Sequence, residues 1–232
     1  MRGARVSVSV VIPVLNGSGL IGEALASVAR QSCMPSEVIV VDGGSTDDSA
    51  SVVQRFAAQP GAPHTRFVEH ADPGAAGKRN AGAHLATGNY LAFLDADDVW
   101  PDDRTERLLR TLLDDPMLDC VSGNIQQFRA DLRAEGLRRM LGAPAATRLP
   151  SAALMKRTSF ESAGNFDTVL RRGETIEWWS RATDSGFRTA VIDATVLLRR
   201  VHEGNLGRTQ PDPGREYLGM LHRVLERRRG KA

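Results

Sequence analysis

Short apolar runs that end in polar clusters set the pattern of the first half of the chain. Residues 6–12 are apolar or alternate with serine and stop at Pro13, residues 37–41 read EVIVV, and residues 90–94 read YLAFL before Asp95, Asp97 and Asp98. Runs of this length fit strands of a sheet covered on both faces. Between them the spacing becomes helical: Leu20, Ile21, Ala24, Leu25 and Val28 share one side of a helix over residues 20–31. The turn DGGSTDDS follows the second strand, and Ser45 or Thr46 can cap a helix running to Ala58. A third strand is predicted over 66–69, a loop over 73–77, and a helix from there to about Thr87. Pro101 suits the first turn of the next helix, and residues 119–126 read as a further strand.

The second half is less regular. Residues 129–147, rich in Arg, Ala and Gly, predict a mobile insertion, and 152–155 an edge strand. A helix over 173–186 bears Glu174, Glu177, Trp178 and Trp179; residues 191–201 are mostly apolar and lead to His202; 216–229 predict an amphipathic helix. Strand and helix alternate to about residue 115, which predicts an α/β fold with a mostly parallel sheet and helices on both faces. Ligands of such sheets bind at the carboxyl ends of strands, where the clusters at 13–16, 42–47 and 95–98 fall. The chain reads as a single domain, residues 1–232: a ligand-binding half at about 1–115, a second half at about 116–210, and a basic C-terminal helix at 211–232.

Composition narrows the classes. With 41% hydrophobic and 25% charged residues the chain is an ordinary globular one, and a net charge of +2 argues against a nucleic-acid binder. No apolar run reaches the ~18 residues of a membrane span. The start, MRGARVSVSVVIPVL, is basic then apolar; Pro13 and Asn16 and the lack of a clean cleavage site make it a first strand rather than a signal peptide. Cys33 and Cys120 give no disulfide framework and no metal-ligand spacing, which points to a reducing cytoplasm and to small buried side chains.

The acids after the fourth strand carry the chemistry. In an extended segment residues two apart face the same way, so Asp95 and Asp97 offer hard oxygens to Mg²⁺ or Mn²⁺, which take further oxygens from a diphosphate. The plainer reading is a capping turn for the helix near Pro101; the position after a buried strand favours the metal. The blocks VSVVIPVLN (8–16), residues 27–31, EVIVVDGGSTDDS (37–49), GKRNAGAHLATGNYLAFLDADD (77–98) and ESAGNFDTVL (161–170) together resemble the family-2 glycosyltransferases over roughly residues 6–205. The resemblance implies a GT-A type, Rossmann-like sheet with a smaller mixed region on the acceptor side. It also implies a nucleotide-diphosphate sugar donor, usually a UDP sugar, and transfer of a hexosyl or N-acetylhexosaminyl group. By the same resemblance Pro13 and Asn16 lie in the first nucleotide-facing loop and Asp42 contacts base or ribose. Arg79 faces the nucleotide, with Lys78 where the family has alanine. Asp95, Ala96 and Asp97 occupy the metal motif. His202 matches a late histidine that completes the metal shell or touches the diphosphate. Asp98 either orients a ligand or caps the next helix.

One block departs from the family pattern. An acidic pair, Glu-Asp, is expected at the start of a late helix, its Asp acting as the base of inverting transfer; here Glu174 is followed by Thr175. Three readings stand: Glu174 is the base, Glu177 one turn on is the base, or the acceptor ionises with little help, as a thiol does. Of the neighbours Trp178 and Trp179, one is expected in the core and the other against the acceptor. Arg199, Arg200 and Arg208 can bind phosphates, and the nine Lys or Arg against four acids from Arg199 onward allow peripheral membrane contact. Two further function classes compete. A nucleotidyltransferase needs a basic residue in the first loop, and PVLNGSGLIG has none; a non-catalytic nucleotide-sugar binder is kept in view by Thr175. The expected acceptor is a saccharide, peptide, lipid-linked sugar or small metabolite, and the expected state a monomer or homodimer.

Overall fold

The computed structural model describes residues 6–72, 74–130, 138–170, 172–202 and 224. One eight-stranded sheet organises them. Its first half is parallel: β3 (His64–Glu69), β2 (Glu37–Asp42), β1 (Val8–Val14) and β4 (Tyr90–Phe93) lie side by side in that order. Beyond β4 the sheet continues antiparallel through β7 (Ala153–Lys156), β5 (Cys120–Ala130) and β6 (Arg138–Ala146). A last strand, β8 (Thr189–Arg200), runs parallel to β5.

The unbroken apolar runs are explained by the two cores. Val10, Ile12, Val38, Val40, Ala92 and Leu94 point into one core, packed with α1 (Ile21–Ala29), α2 (Ser49–Ala57) and α4 (Arg104–Asp114). Their neighbours Val11, Ile39, Val41, Leu91 and Phe93 point into the other, beneath α3 (Ala75–Leu85), α5 (Arg157–Ala163) and α6 (Glu174–Asp184). Each strand alternates faces, but both faces are covered, so no polar alternation survives. Helix α3 lies close on β1: a Cβ built at Gly82 would stand 2.3 Å from Val11 Cγ1. At the other end of the sheet Glu37, 6% exposed, pins the elements together. Its Oε1 accepts from Ser9 Oγ and from Thr87 N and Oγ1, each at 2.7 Å, and its Oε2 from Arg66 Nη2 at 2.9 Å.

Several expectations need correction. Pro13 lies inside β1, in register with Val41, rather than ending it. Leu94 N donates to Val11 O on one side and Gly43 N to Val14 O on the other, so the nitrogen of Pro13 faces the side where β4 has already ended and no N–H is needed. Neither Ser45 nor Thr46 caps α2, and α4 starts three residues after Pro101. The strand at Ala153–Lys156 is interior, between β4 and β5, because Ala153, Leu154 and Met155 are fully buried. Part of the expected insertion is β6, paired with β5. Trp178 and Trp179 are both core residues, 0% and 5% exposed, against Phe160, Phe166 and Phe187. The predicted C-terminal helix and the part of the basic tail past His202 lie, apart from Val224, outside the described residues. Among the described residues no helix is long and apolar enough to cross a membrane.

Candidate active site

The carboxyl ends of β1, β2 and β4 meet, and the loops there are tied to one another. Asn16 adopts a left-handed backbone, φ 51°, tolerated by asparagine. That turn lets its Oδ1 accept from Thr46 N at 2.8 Å while its own N–H donates to Ser45 Oγ at 2.7 Å. Ser18 N donates to Asp47 Oδ2 at 2.9 Å and Gly17 N to Ser49 Oγ at 3.0 Å. Hydrogen bonds from Ser49 and Ser18 hold the Asp47 carboxyl well below its ordinary range. Asp42 is 4% exposed; it accepts from Gly44 N at 3.1 Å, Ser45 N at 2.8 Å and the Ser45 hydroxyl. Asp42 thus shapes the second loop.

Helix α3 brings two buried cations to these strand ends. Lys78, 4% exposed, donates from Nζ to Val14 O at 3.1 Å. Burial lowers its pKa, with Asp42 and Asp72 opposing and Arg79 assisting. Arg79 pairs through Nη2 with Asp95 Oδ1 at 2.6 Å and through Nη1 with Glu174 Oε1 at 3.3 Å. Burial works against its charge, and the two carboxylates more than restore it, so its pKa is raised. The first acid of the DAD sequence and the first residue of α6, 79 positions apart, are thereby joined by one guanidinium.

The acids do not form an extended strand end. Asp98 N donates to Asp95 O at 3.0 Å, so residues 95–98 are a turn. Ala96 is half-buried and sits near Gly17, whose added Cβ would lie 3.7 Å from the Ala96 Cβ. Asp98 is 3% exposed and caps no helix; its Oδ1 accepts from Arg200 N at 2.9 Å. Burial first, then the charges of Asp95 and Asp97, raise its pKa well above the carboxylate range. The bridge between Val99 and Leu198 continues this junction between the turn and β8. Two residues past Arg200, His202 Nε2 stands 3.0 Å from Asp97 Oδ2. Arg200, one of three arginines read as phosphate-binding, is instead 6% exposed and directed inward, paired with Glu23 on α1.

At the start of α6, Glu174 is turned to Arg79, with Thr175 Oγ1 3.4 Å from its Oε1. Glu177 is engaged differently: 6% exposed, it meets Arg181 at 3.3 Å, and Arg181 also donates to the carbonyls of Ala163 and Asn165. That is a structural tie between α6 and the loop after α5. Sequence reasoning passed over Ser27 and Gln31 individually, although their segment was noted. Ser27 Oγ accepts from Trp100 N at 3.2 Å, and Gln31 bonds Pro101 O at 2.7 Å and Thr105 N at 2.9 Å. They anchor the chain leaving the acidic turn.

The donors offered to a divalent ion are Asp97 Oδ2 and His202 Nε2, both about a third exposed. Cis ligands at about 2.1 Å in an octahedral shell stand about 3.0 Å apart, so the pair fits such an ion; the spacing equally suits a hydrogen bond. Among the described residues no three His, Cys, Asp or Glu side chains converge as a metal group. The remainder of a shell would fall to water and phosphate oxygens, as is common for Mg²⁺.

Sheet order, helices on both faces and polar loops at the parallel strand ends define an α/β domain of the GT-A type. The family model described as glycosyl transferase family 2 matches residues 9–169, and the chain belongs to that family. It is 36% identical over 131 residues to a "PGL/p-HBAD biosynthesis glycosyltransferase" of Mycobacterium bovis, covering 55% of this chain and 50% of that protein. To the "uncharacterized glycosyltransferase YibD" of Escherichia coli it is 33% identical over 117 residues, 50% and 33% of the two chains. The chain thus spans a third to a half of these relatives' length. Among solved structures, S. aureus TarS 1-349 in complex with UDP-GlcNAc superposes with TM-score 0.77 at 18% identity, over 94% of this chain and 65% of that one. A mannosyltransferase from Pyrobaculum calidifontis in complex with GDP-Man and Mn²⁺ gives 0.69 at 22% identity, over 95% and 69%.

Proposed function

We propose that this chain is the catalytic domain of a metal-dependent glycosyltransferase that moves a sugar from a nucleotide-diphosphate donor, a UDP sugar, to an acceptor with inversion. The observation that carries the reading is the Arg79 bridge, which joins the DAD turn to the acidic start of α6 at the ends of the parallel strands. Family membership supports the reaction class. Pro13, Asn16, Asp42 and Lys78 form the floor on which the nucleotide lies, and Ala96 sits where the turn meets the first loop. Asp97 and His202, with Asp95 beside them, would hold Mn²⁺ or Mg²⁺, which when bound would supply positive charge against that of a departing diphosphate.

Glu174 is the base. The acceptor oxygen attacks the anomeric carbon, its proton passes to Glu174, and the bond from that carbon to the diphosphate oxygen breaks in the same displacement. Thr175 cannot take that proton near neutral pH; Glu177 is the more deeply buried of the two glutamates, and its partner Arg181 binds the loop after α5 rather than the acidic turn. Arg79 orients the Glu174 carboxylate and links its position to Asp95.

The test uses UDP-, GDP- and dTDP-sugars with and without Mn²⁺. A donor at 100 times its dissociation constant stabilises the folded state by about 2.7 kcal/mol, visible as a raised melting temperature. That shift should need Mn²⁺ and vanish in Asp97→Asn. Glu174→Gln should keep the shift and slow transfer by ~10²-fold or more. A protein that no nucleotide sugar stabilises does not use such a donor. One that binds donor, yet neither hydrolyses nor transfers it, is the non-catalytic binder.

A further inference from the structure

We propose that Arg200 is the positioning residue that holds Asp97 and His202 at the separation a divalent ion requires; the inference rests on the metal-dependent reading above. Arg200 is 6% exposed and touches both segments that carry this pair. Its Nε donates to Asp97 O at 2.9 Å, fixing the backbone of the residue whose side chain meets His202. Its own backbone N–H donates to Asp98 Oδ1 at 2.9 Å, locking the strand end that carries His202 two residues later. Its guanidinium lies 4.7 Å from the centre of the Phe128 ring on β5 and pairs with Glu23 on α1. Glu23 also pairs with Arg138 on β6; burial alone would raise its pKa, and the two arginines hold it below the ordinary range.

One side chain therefore ties the acidic turn, the end of β8, α1 and β5 together beneath the partly exposed Asp97–His202 pair. Turn and strand end come from distant parts of the sequence, 103 positions apart. Groups behind metal ligands typically contribute 10- to 100-fold to metal affinity by fixing ligand orientation. The planar fork of arginine suits this post: Nε serves the carbonyl while Nη2 serves Glu23, a division one lysine ammonium cannot reproduce at both distances.

Free Mn²⁺ is followed by electron paramagnetic resonance during titration of the purified protein with Mn²⁺ alone and with Mn²⁺ plus UDP, and melting is recorded on the same samples. Wild type is expected to bind, and folded Arg200→Lys to bind about 10- to 100-fold more weakly. Glu37→Gln, at the opposite end of the sheet, is expected to lose stability and keep wild-type Mn²⁺ affinity. Arg200→Lys within about twofold of wild type overturns the inference alone. So does an equal weakening in Glu37→Gln, which would mark general loosening. If Arg200→Lys does not fold, Arg200→Gln decides by the same criterion. A wild type that binds no Mn²⁺ with UDP present removes the metal reading and this inference with it.

Discussion

Replacing Arg79 by methionine tests the junction on which the site depends. The guanidinium is 8% exposed and holds Asp95 at 2.6 Å and Glu174 at 3.3 Å, those carboxylates being 34% and 16% exposed. Unit charges 4 Å apart attract by about 4 kcal/mol at an effective dielectric of 20, and burying the guanidinium takes back much of that. Methionine matches the arginine stem in bulk, so little cavity forms. What remains is two carboxylates without their cation. Breaking a buried pair costs about 3–5 kcal/mol; water reaches Asp95 and replaces part of the interaction, leaving about 2–3 kcal/mol. Urea denaturation at neutral pH should show that loss as a lowered midpoint with an unchanged slope. A loss below about 1 kcal/mol refutes the argument.

Three other outcomes follow from separate parts of the fold. Glu177→Gln should lower stability by about 1–2 kcal/mol through its tie to Arg181, with the transfer rate of the folded enzyme unchanged; a rate loss like that of Glu174→Gln would move the base assignment. Burial works to raise the pKa of Glu37, but bonds from Ser9 and Thr87 and the charge of Arg66 depress it below 4.5. Its charge therefore stabilises the fold above that pH, and the contribution is lost as pH falls through the depressed value. The difference in urea midpoint between wild type and Glu37→Gln should accordingly narrow below about pH 4.5, where a constant gap would contradict the assignment. Gly82→Val places atoms against Val11 and should cost about 1–3 kcal/mol. It should also weaken donor binding, because the shifted helix carries Lys78 and Arg79; intact donor affinity in the folded variant would mean α3 adapts without moving them.

What could be read from the linear chain was whatever local physics decides. Unbroken apolar runs require two covered faces, and Val10 and Val11 entering opposite cores show why β1 has no polar stripe. Gly and Asp at the ends of such runs mark turns, so the polar loops at residues 42–47 and 95–98 were locatable. The interior place of β7 was not legible, since a four-residue run carries no record of which strands flank it. The same holds for charges. Arg200 reads as one more surface cation, and only the return of β8 beside the acidic turn puts it under Asp97 with Glu23 for a partner. Glu177 meets Arg181 one turn further along the same helix, a pairing that local spacing already offers. Glu174 meets Arg79, 95 positions away, only because the fold brings the start of α6 against α3. Periodicity and turn chemistry act over a few residues and were settled by the sequence; which charges become neighbours depends on contacts spanning up to 177 positions, and only packing sets those.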